Sequence, residues 1–475
     1  MDKGPRTQDG PRTRDQAPRT TNSRRLWPCL PLLAGLYLPF LGGGLLTDDF
    51  AHVVRLSNID SPGRLIDAPD AFGFYRPVTQ ASLALTPGLR GSQPAQGRAF
   101  NVVLHACVIA LAFTVAWLVL PSPFAAGLAT LAFALTPKAT AIAALWISAR
   151  GELLMAVFSL ASIAAWIMWT RRGRTWWLAA AVSAYGLALL SKETATLLPL
   201  LLLLTPRPER PFAVRASAIA GFGVIALVIY VWRSQVGALT PFAGDEHYHL
   251  VISLTLWLRN SINYAGRMIA APLALLVLLG VARLMDKRRP MPLGSYSIFI
   301  PLDVIAFAAA FVVVFLTPVL PIALRSELYL YLPVFGVCLF AGWLGSLLFY
   351  GIQPRSVAAA VAVYILALGA YQIARARDIH QDLLFSDKLV AALRSDSQLV
   401  IANGSVLLIP SDRTMERSLQ SAIGGYFSVV LQHAFDGGPR AGAVQYSGEP
   451  TAHAGLRLLY AARQSDGAVV ISSTP

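Results

Sequence analysis

The chain has 475 residues, 13% of them charged and 55% hydrophobic, with a mean hydropathy of +0.57. Soluble domains carry about 25% charged residues, so a string of water-soluble domains is excluded. The chain is nevertheless basic, with 39 Lys and Arg against 25 Asp and Glu and a net charge of +14. Low charge density with a positive excess indicates a polytopic membrane protein with basic loops. A nucleic-acid binder would cluster its basic residues in a soluble module, and none is visible. Cys29, Cys107 and Cys338 all sit in apolar runs, which indicates neither a disulfide framework nor a zinc site.

Taken in chain order, residues 1–25 read as a disordered basic tail, too polar for a signal peptide. Apolar runs follow near 26–46, 99–120, 124–147, 150–169, 175–191, 192–204, 214–233, 266–285, 297–317, 327–349 and 355–374. Crossing a hydrocarbon core takes about 20 apolar residues. The chain is therefore read as an all-α membrane protein of about eleven transmembrane helices. The run at 124–147 is interrupted at Pro137-Lys138, and Ser191-Lys192-Glu193 divides two short runs. Such breaks are tolerated only where protein or water satisfies the freed backbone, so they mark a lined cavity.

Orientation follows from the Lys and Arg of the short loops. With the N-terminus in the cytoplasm, segments 1–25, 170–174, 205–215, 283–290 and 351–356 are internal. They hold 18 basic and 5 acidic residues, a net +13, and the rest of the chain contributes +1. Trp27, Trp166, Trp169, Trp176 and Trp177 fall at the cytoplasmic ends of their spans, as an aromatic belt does. Two larger regions lie on the other side: the Pro-punctuated loop 47–98 and the segment 376–475. The latter mixes helical runs (378–394 and after Ser411) with strand-like runs at 397–402, 405–409, 441–446, 455–461 and 468–472. It reads as a small extracytoplasmic α/β domain.

This topology places four polar clusters on one membrane face, at headgroup depth. They are Asp48-Asp49, Arg150-Gly-Glu152, Lys192-Glu193 and Arg325-Ser-Glu327-Leu-Tyr329-Leu-Tyr331. Adjacent acids repel, so one of them can hold a raised pKa and accept a proton from an attacking hydroxyl. The plainer reading is a solvated loop acid or a helix N-cap. His52, a turn further on, would orient an acid or bind substrate, or else be a bland surface histidine. Arg150, Lys192 and Arg325 could neutralise a lipid phosphate; alternatively they snorkel or pair with Glu152, Glu193 and Glu327. Tyr329 and Tyr331 are core aromatics or pack on a sugar. Lys138 and Asp303 are ionisable groups in apolar runs; Lys138 would line the outer cavity, and Asp303 reads as structural. Asp245-Glu-His-Tyr-His249 has the composition of a metal cluster but the setting of a solvated loop.

These stretches resemble the GT-C superfamily of membrane glycosyltransferases, and within it the membrane part of the tetratricopeptide-containing O-mannosyltransferases and their bacterial relatives. The matching stretches begin with Leu46-Thr-Asp48-Asp49-Phe50, Phe74-Tyr-Arg76-Pro77 and Asn101-Val-Val-Leu-His105. They continue with Trp146-Ile-Ser148-Ala-Arg150-Gly-Glu152-Leu-Leu154, Leu189-Leu-Ser191-Lys192-Glu193 and Glu327-Leu-Tyr329-Leu-Tyr331-Leu-Pro333. They keep the family's order across residues 26–375. The resemblance implies a GT-C-like fold and an outward-facing enzyme that uses a polyprenyl-phosphate sugar and inverts the anomeric centre. It implies a catalytic base at Asp48 or Asp49, with Asp48 favoured, and Lys192 and Arg325 facing the donor phosphate. His52, Arg76, Arg150, Glu152, Glu193, Tyr329 and Tyr331 complete the expected substrate site. No cofactor is required, although paired acids could hold a divalent cation. Two departures stand out: the family's Glu four residues before the Trp is Ile142 here, and the helical-repeat array is absent, so the acceptor, glycan or protein, is left open. A transporter or flippase, which would show paired halves, and a non-catalytic scaffold are the rival readings.

Overall fold

The computed structural model describes residues 27–59, 61, 63–89, 93–239, 250–286, 301–349, 353–395, 406–435, 442–444, 457–464, 466 and 468–472. The expected basic tail, the strand-like run 397–402 and the cluster 245–249 lie outside the described residues.

The first apolar run is wound as a 3-10 helix, Trp27–Phe40, with Pro31 and Pro39 inside it. Proline cannot donate the i→i−4 bond of an α-helix, and a 3-10 helix rises about 2.0 Å per residue. Fourteen residues therefore reach about 28 Å, close to the thickness of a hydrocarbon core. Leu30, Ala34 and Tyr37 face the protein, and Leu32 and Leu38 face outward.

The region between this segment and the next long helix carries three short helices, α1 (Asp48–Ser57), α2 (Arg64–Asp67) and α3 (Pro77–Ala84). Then come α4 (Pro94–Val119) and the bent pair α5 (Pro123–Ala134) and α6 (Pro137–Leu145). After these the chain forms α7 (Arg150–Arg172), α8 (Thr175–Ser191) and α9 (Leu198–Leu203). Next are α10 (Phe212–Gln235), α11 (Leu254–Met285), α12 (Leu302–Leu316), α13 (Val334–Phe349) and α14 (Pro354–Ser395). Among the described residues six helices are long and apolar enough to cross a membrane, and α5 with α6, bent by 65°, makes up to a seventh. Shorter apolar helices, Cys29–Phe40, Thr175–Ser191, Glu193–Leu203 and Val334–Leu348, stand where the remaining spans were expected.

The bend falls at Pro137, as the sequence indicates. A buried network of polar groups spans it. Tyr37 Oη lies 2.9 Å from both Gln372 Oε1 and Thr140 Oγ1, either of which can accept its one proton, and Gln372 Nε2 donates to the Ala134 carbonyl at 2.9 Å. Helix α14 differs from expectation. The sequence suggests a span ending near 374 and a separate helix over 378–394, yet 42 residues form one unbroken helix. At 1.5 Å per residue it is about 63 Å long, twice a membrane's core. With no Pro or Gly near 375 to break it, the helix carries the C-terminal region as a continuous strut.

That region holds a four-stranded sheet in the order β2-β1-β3-β4, from β1 (Val406–Pro410), β2 (Gly442–Val444), β3 (Arg457–Arg463) and β4 (Val469–Ser472). β1 runs parallel to β2 and β3, and β4 is antiparallel to β3. Two helices, Arg413–Ala422 and Phe427–Ala434, connect β1 to β2. The small α/β unit inferred from the sequence is thus present, and it docks on α1. The Thr47 N–H donates to the Ala422 carbonyl at 2.9 Å, and Phe50 meets His433 edge-on with centroids 5.5 Å apart. Thr47 itself has φ +38°, an uncommon region for a non-glycine residue, fixed by this contact.

Helix α13 packs against α5 through Gly342, where an added Cβ would lie 2.5 Å from the Ala125 carbonyl oxygen and 2.6 Å from Ala129 Cβ. Both are fixed parts of a neighbouring helix, so a larger residue must force the helices apart. Gly342→Leu is expected to destabilise the fold by about 1–3 kcal/mol, as overpacked cores do. The thermal midpoint of the detergent-solubilised protein measures it; an unchanged midpoint would refute the close approach.

Candidate functional site

Helix α1 begins at the acidic pair, and its first turn favours negative charge. The two acids have different surroundings. Asp49 is fully buried, and its carboxylate accepts from Ser148 N–H (2.8 Å), Ser148 Oγ (2.5 Å) and the Leu46 N–H (3.2 Å). Burial pushes its pKa up to about 6, against the pull of those hydrogen bonds and of Arg98. Asp49 therefore ties the start of α1 to the turn between α6 and α7. Asp48 retains slight solvent access and lies within electrostatic range of Tyr329.

Around Tyr329 the structure gathers several of the expected residues. Lys192 Nζ sits 5.4 Å from its ring centroid and 2.6 Å from Glu152 Oε2. Glu193 and Arg76 act on the same tyrosine, and Arg76 grips Glu193 with two bonds of 3.0 and 2.6 Å. Fork-to-fork geometry of this kind is the strong form of the ion pair. Local sequence explains the placement. Asp70 accepts from the Phe72 and Phe74 N–H groups at 2.9 Å each, closing the loop that presents Arg76. Lys192 caps the C-terminus of α8 in an extended conformation, and Glu193 opens a 3-10 turn. Gly151 lets α7 start against α3 and α8: a Cβ there would be 3.3 Å from Thr79 Oγ1 and 3.4 Å from the Ser191 carbonyl oxygen. Asp48, Arg76, Glu152, Lys192, Glu193 and Tyr329 thus converge.

Three expected site residues are placed elsewhere. The guanidinium of Arg150 was expected to face a phosphate. It is instead fully enclosed, bonded to Asn101 Oδ1, Ser82 Oγ (3.0 Å), Thr86 Oγ1 (3.0 Å) and the Gly97 carbonyl (2.8 Å). It joins α7 to α3 and α4, because a buried guanidinium must find acceptors for its donors. Tyr331 is a core aromatic with no solvent exposure, 2.7 Å from His105 Nδ1. His52 is buried against Phe72, with Nδ1 3.4 Å from Gln80 Nε2. Burial, with Arg76 and Arg55 nearby, lowers its pKa to about 3 and keeps it neutral.

Arg325 is exposed at the turn before the 3-10 segment Glu327–Leu330. Beside it lies a cluster that sequence spacing does not reveal. Glu327 is paired with Lys138 (3.5 Å), Arg267 (3.9 Å) and Arg375 (3.2 Å), from α6, α11 and α14. Three cations on one carboxylate leave an excess of two positive charges. By contrast Lys192 is matched by Glu152, and Arg76 by Glu193 and Asp70. Lys138 was expected to line a cavity and belongs to this cluster. Asp303 is exposed in the first turn of α12, where its Oδ1 accepts from the Val304 N–H at 2.9 Å. Arg98, which the sequence reading did not single out, donates to the Leu41, Gly43 and Gly44 carbonyls at 2.6, 2.5 and 2.9 Å. Its only signal in the sequence is an arginine one turn into an apolar helix. Among the described residues no three His, Cys, Asp or Glu side chains converge as metal ligands.

Compared with known structures, the chain shares its overall fold with a solved protein of low sequence identity. It is similar to ArnT from Cupriavidus metallidurans in the apo state, at 15% identity over 85% of each chain with a TM-score of 0.51. The same protein bound to undecaprenyl phosphate aligns over 85% of this chain and 86% of that one, at 15% identity and a TM-score of 0.48. No protein-family model and no curated protein sequence matches the chain.

Two outcomes follow from the site's burial. Arg150→Lys removes the forked donor that holds four acceptors, leaving them unsatisfied at a cost of about 1–3 kcal/mol each. The expected result is loss of folded protein in size-exclusion chromatography. The second concerns pH. Asp49 titrates higher in the folded chain (about 6) than its ordinary 3.8, so its contribution to stability is present at acid pH and is lost as pH rises through 6. His52, lowered from 6.5 to about 3, acts the other way and costs stability as pH falls below 6.5. Melting curves between pH 4.5 and 7.5 should steepen with acid in Asp49→Asn and flatten in His52→Gln.

Proposed function

We propose that the protein transfers a sugar from a polyprenyl-phosphate donor to an acceptor hydroxyl on the outer face of the membrane. The observation that carries this reading is the position of Asp48. It is the acid of the pair that keeps slight solvent access, and it lies within electrostatic range of Tyr329, on which Arg76, Lys192 and Glu193 also converge. ArnT, whose fold the chain shares, is also seen bound to undecaprenyl phosphate, the lipid-phosphate part of such a donor without its sugar. The charge asymmetry of the loops, internal where basic, supports the outward placement.

In this scheme Asp48 accepts the proton of the acceptor hydroxyl as its oxygen attacks the anomeric carbon. The bond between that carbon and the phosphate oxygen breaks, and its electron pair leaves with the phosphate. Attack opposite the leaving group inverts the anomeric centre. Lys192, held by Glu152, and Arg76, held by Glu193, shape the sugar subsite beside Tyr329. The leaving phosphate is stabilised where positive charge is in excess, by Lys138, Arg267, Arg375 and the neighbouring Arg325. Charge stabilisation at the departing oxygen is usually the largest part of such catalysis. Separating a donor in the bilayer from an acceptor in water explains why the base sits just past a membrane segment. No divalent cation is called for. The transporter reading expects ionisable groups at the membrane midplane and paired halves. Lys138 is instead engaged with Glu327 at the same polar end as the acids.

Reconstitution with a panel of polyprenyl-phosphate sugars tests the scheme. Asp48→Asn should lower kcat by at least about 100-fold, as loss of a general base does, with donor KM little changed. Arg267→Gln and Arg375→Gln should each raise donor KM about tenfold, the effect of about 1.4 kcal/mol. Full transfer by Asp48→Asn would remove the proposed base, and no transfer from any donor by the wild type would favour the transporter or scaffold.

A further inference from the structure

Helix α1 carries more than the base. Asp48, His52 and Arg55 follow one another at helical spacing along one face, and Arg55 lies about 10 Å along the axis from Asp48. At that end of α1 there is a cavity of about 220 Å³ lined by Arg55, Asn58, Ile59, Arg64 and Ala68. Two of these five residues are arginines, Asn58 supplies an amide, and Ile59 and Ala68 form the apolar wall. Nε and Nη2 of Arg55 are buried with no hydrogen-bond partner. Such atoms incur a desolvation cost of about 1–3 kcal/mol each unless something binds them. Burial and the neighbouring charge of Arg64 hold the Arg55 pKa below its ordinary value, while Asp70 pulls the other way. Asp70 acts on Arg55 more strongly than Arg64 does, but it makes no bond to Arg55 Nε or Nη2: its Oδ1 serves two loop N–H groups and its Oδ2 lies 3.9 Å from Arg76 Nη1. The cavity therefore presents unspent donors and positive charge.

We propose that this cavity is the acceptor subsite and that it takes an oxyanion, a phosphate or carboxylate, carried by the acceptor sugar. The assignment rests on the transfer reaction proposed above and names the acceptor's chemical class. The anionic group docks between Arg55 and Arg64, and the wall at Ile59 and Ala68 meets a ring face. The acceptor's reacting hydroxyl then lies along α1 at Asp48. Arg55 is suited to the task because an oxyanion accepts from a guanidinium edge through two parallel bonds. The site lies opposite the Glu327 cluster in its role: one end anchors the acceptor's anion, and the other receives the departing phosphate.

Binding to the full-length protein in neutral detergent, read by titration calorimetry, tests this without any donor. The probes are glucose 6-phosphate, glucuronate, inorganic phosphate and glucose. Expected is saturable binding of glucose 6-phosphate and glucuronate, at least about tenfold tighter than glucose, and weakened at least about tenfold in the double variant Arg55→Gln/Arg64→Gln. Replacing Arg55 breaks no bond made by its Nε or Nη2, and an unchanged melting temperature of the double variant verifies its fold. Asp48→Asn should bind like wild type, so full transfer by that variant with retained binding would count against the proposed base and not against this subsite. Binding unchanged in the double variant, no binding by the wild type, or equal affinity for glucose would overturn the proposal. So would inorganic phosphate binding more tightly than glucose 6-phosphate. Displacement of glucose 6-phosphate by vesicles containing phosphatidylglycerol but not by phosphatidylcholine vesicles would assign the arginines to the lipid surface and overturn it too.

Discussion

The carboxylate of Asp49, sealed inside the protein, is the constraint on which the site depends. A buried anion must be hydrogen-bonded and held near positive charge. Ser148, the Leu46 N–H and nearby Arg98 meet that demand. In doing so they fix the start of α1 against the break before α7 and the end of the first apolar segment. Arg98 ties that same segment through three carbonyls, and Arg150 ties α7 to α3 and α4. Asp48 gains its position from these ties. The neighbouring acid is rigid because its partner is spent on structure.

Charge is distributed with the same economy. Most cations near the site are matched one to one: Lys192 with Glu152, and Arg76 with Glu193 and Asp70. Such pairs set geometry and leave little net field. Among the described residues, positive charge exceeds its ion-pair partners at the cluster around Glu327 and at the cavity of Arg55 and Arg64. Both are partly open to solvent, where an anion can arrive. The C-terminal region closes over this arrangement through Thr47 and Phe50 on the segment that bears the acids. The strut formed by α14 lets one helix serve both the membrane bundle and that cover.

Much of this was legible in the chain itself. Breaks at Pro137 and Lys192 are local backbone chemistry, since proline removes a donor and a polar run ends an apolar helix. The ordered motifs implied the fold, and the fold is found. The roles within the motifs were less legible. Arg150 and Lys192 follow apolar runs in the same manner, yet one is sealed and the other faces Tyr329. Asp48 and Asp49 are indistinguishable in sequence, and a rotation of about 100° between successive helix positions separates a fully enclosed tie from an acid that keeps slight solvent access. The span count blurred where a 3-10 segment covers in fourteen residues what an α-helix covers in about twenty.

What the sequence determined by itself is the membrane class, the segregation of basic loops and the small α/β region, because each follows from composition or short-range periodicity. Tertiary structure alone decided which charges are spent and which are left over. Glu327 meets Lys138, Arg267 and Arg375 only because α6, α11 and α14 converge, and Arg55 meets Arg64 only because the loop after α1 turns back. Whether a cation is neutralised depends on its distance to an anion in space. Separation along the chain carries no record of that distance.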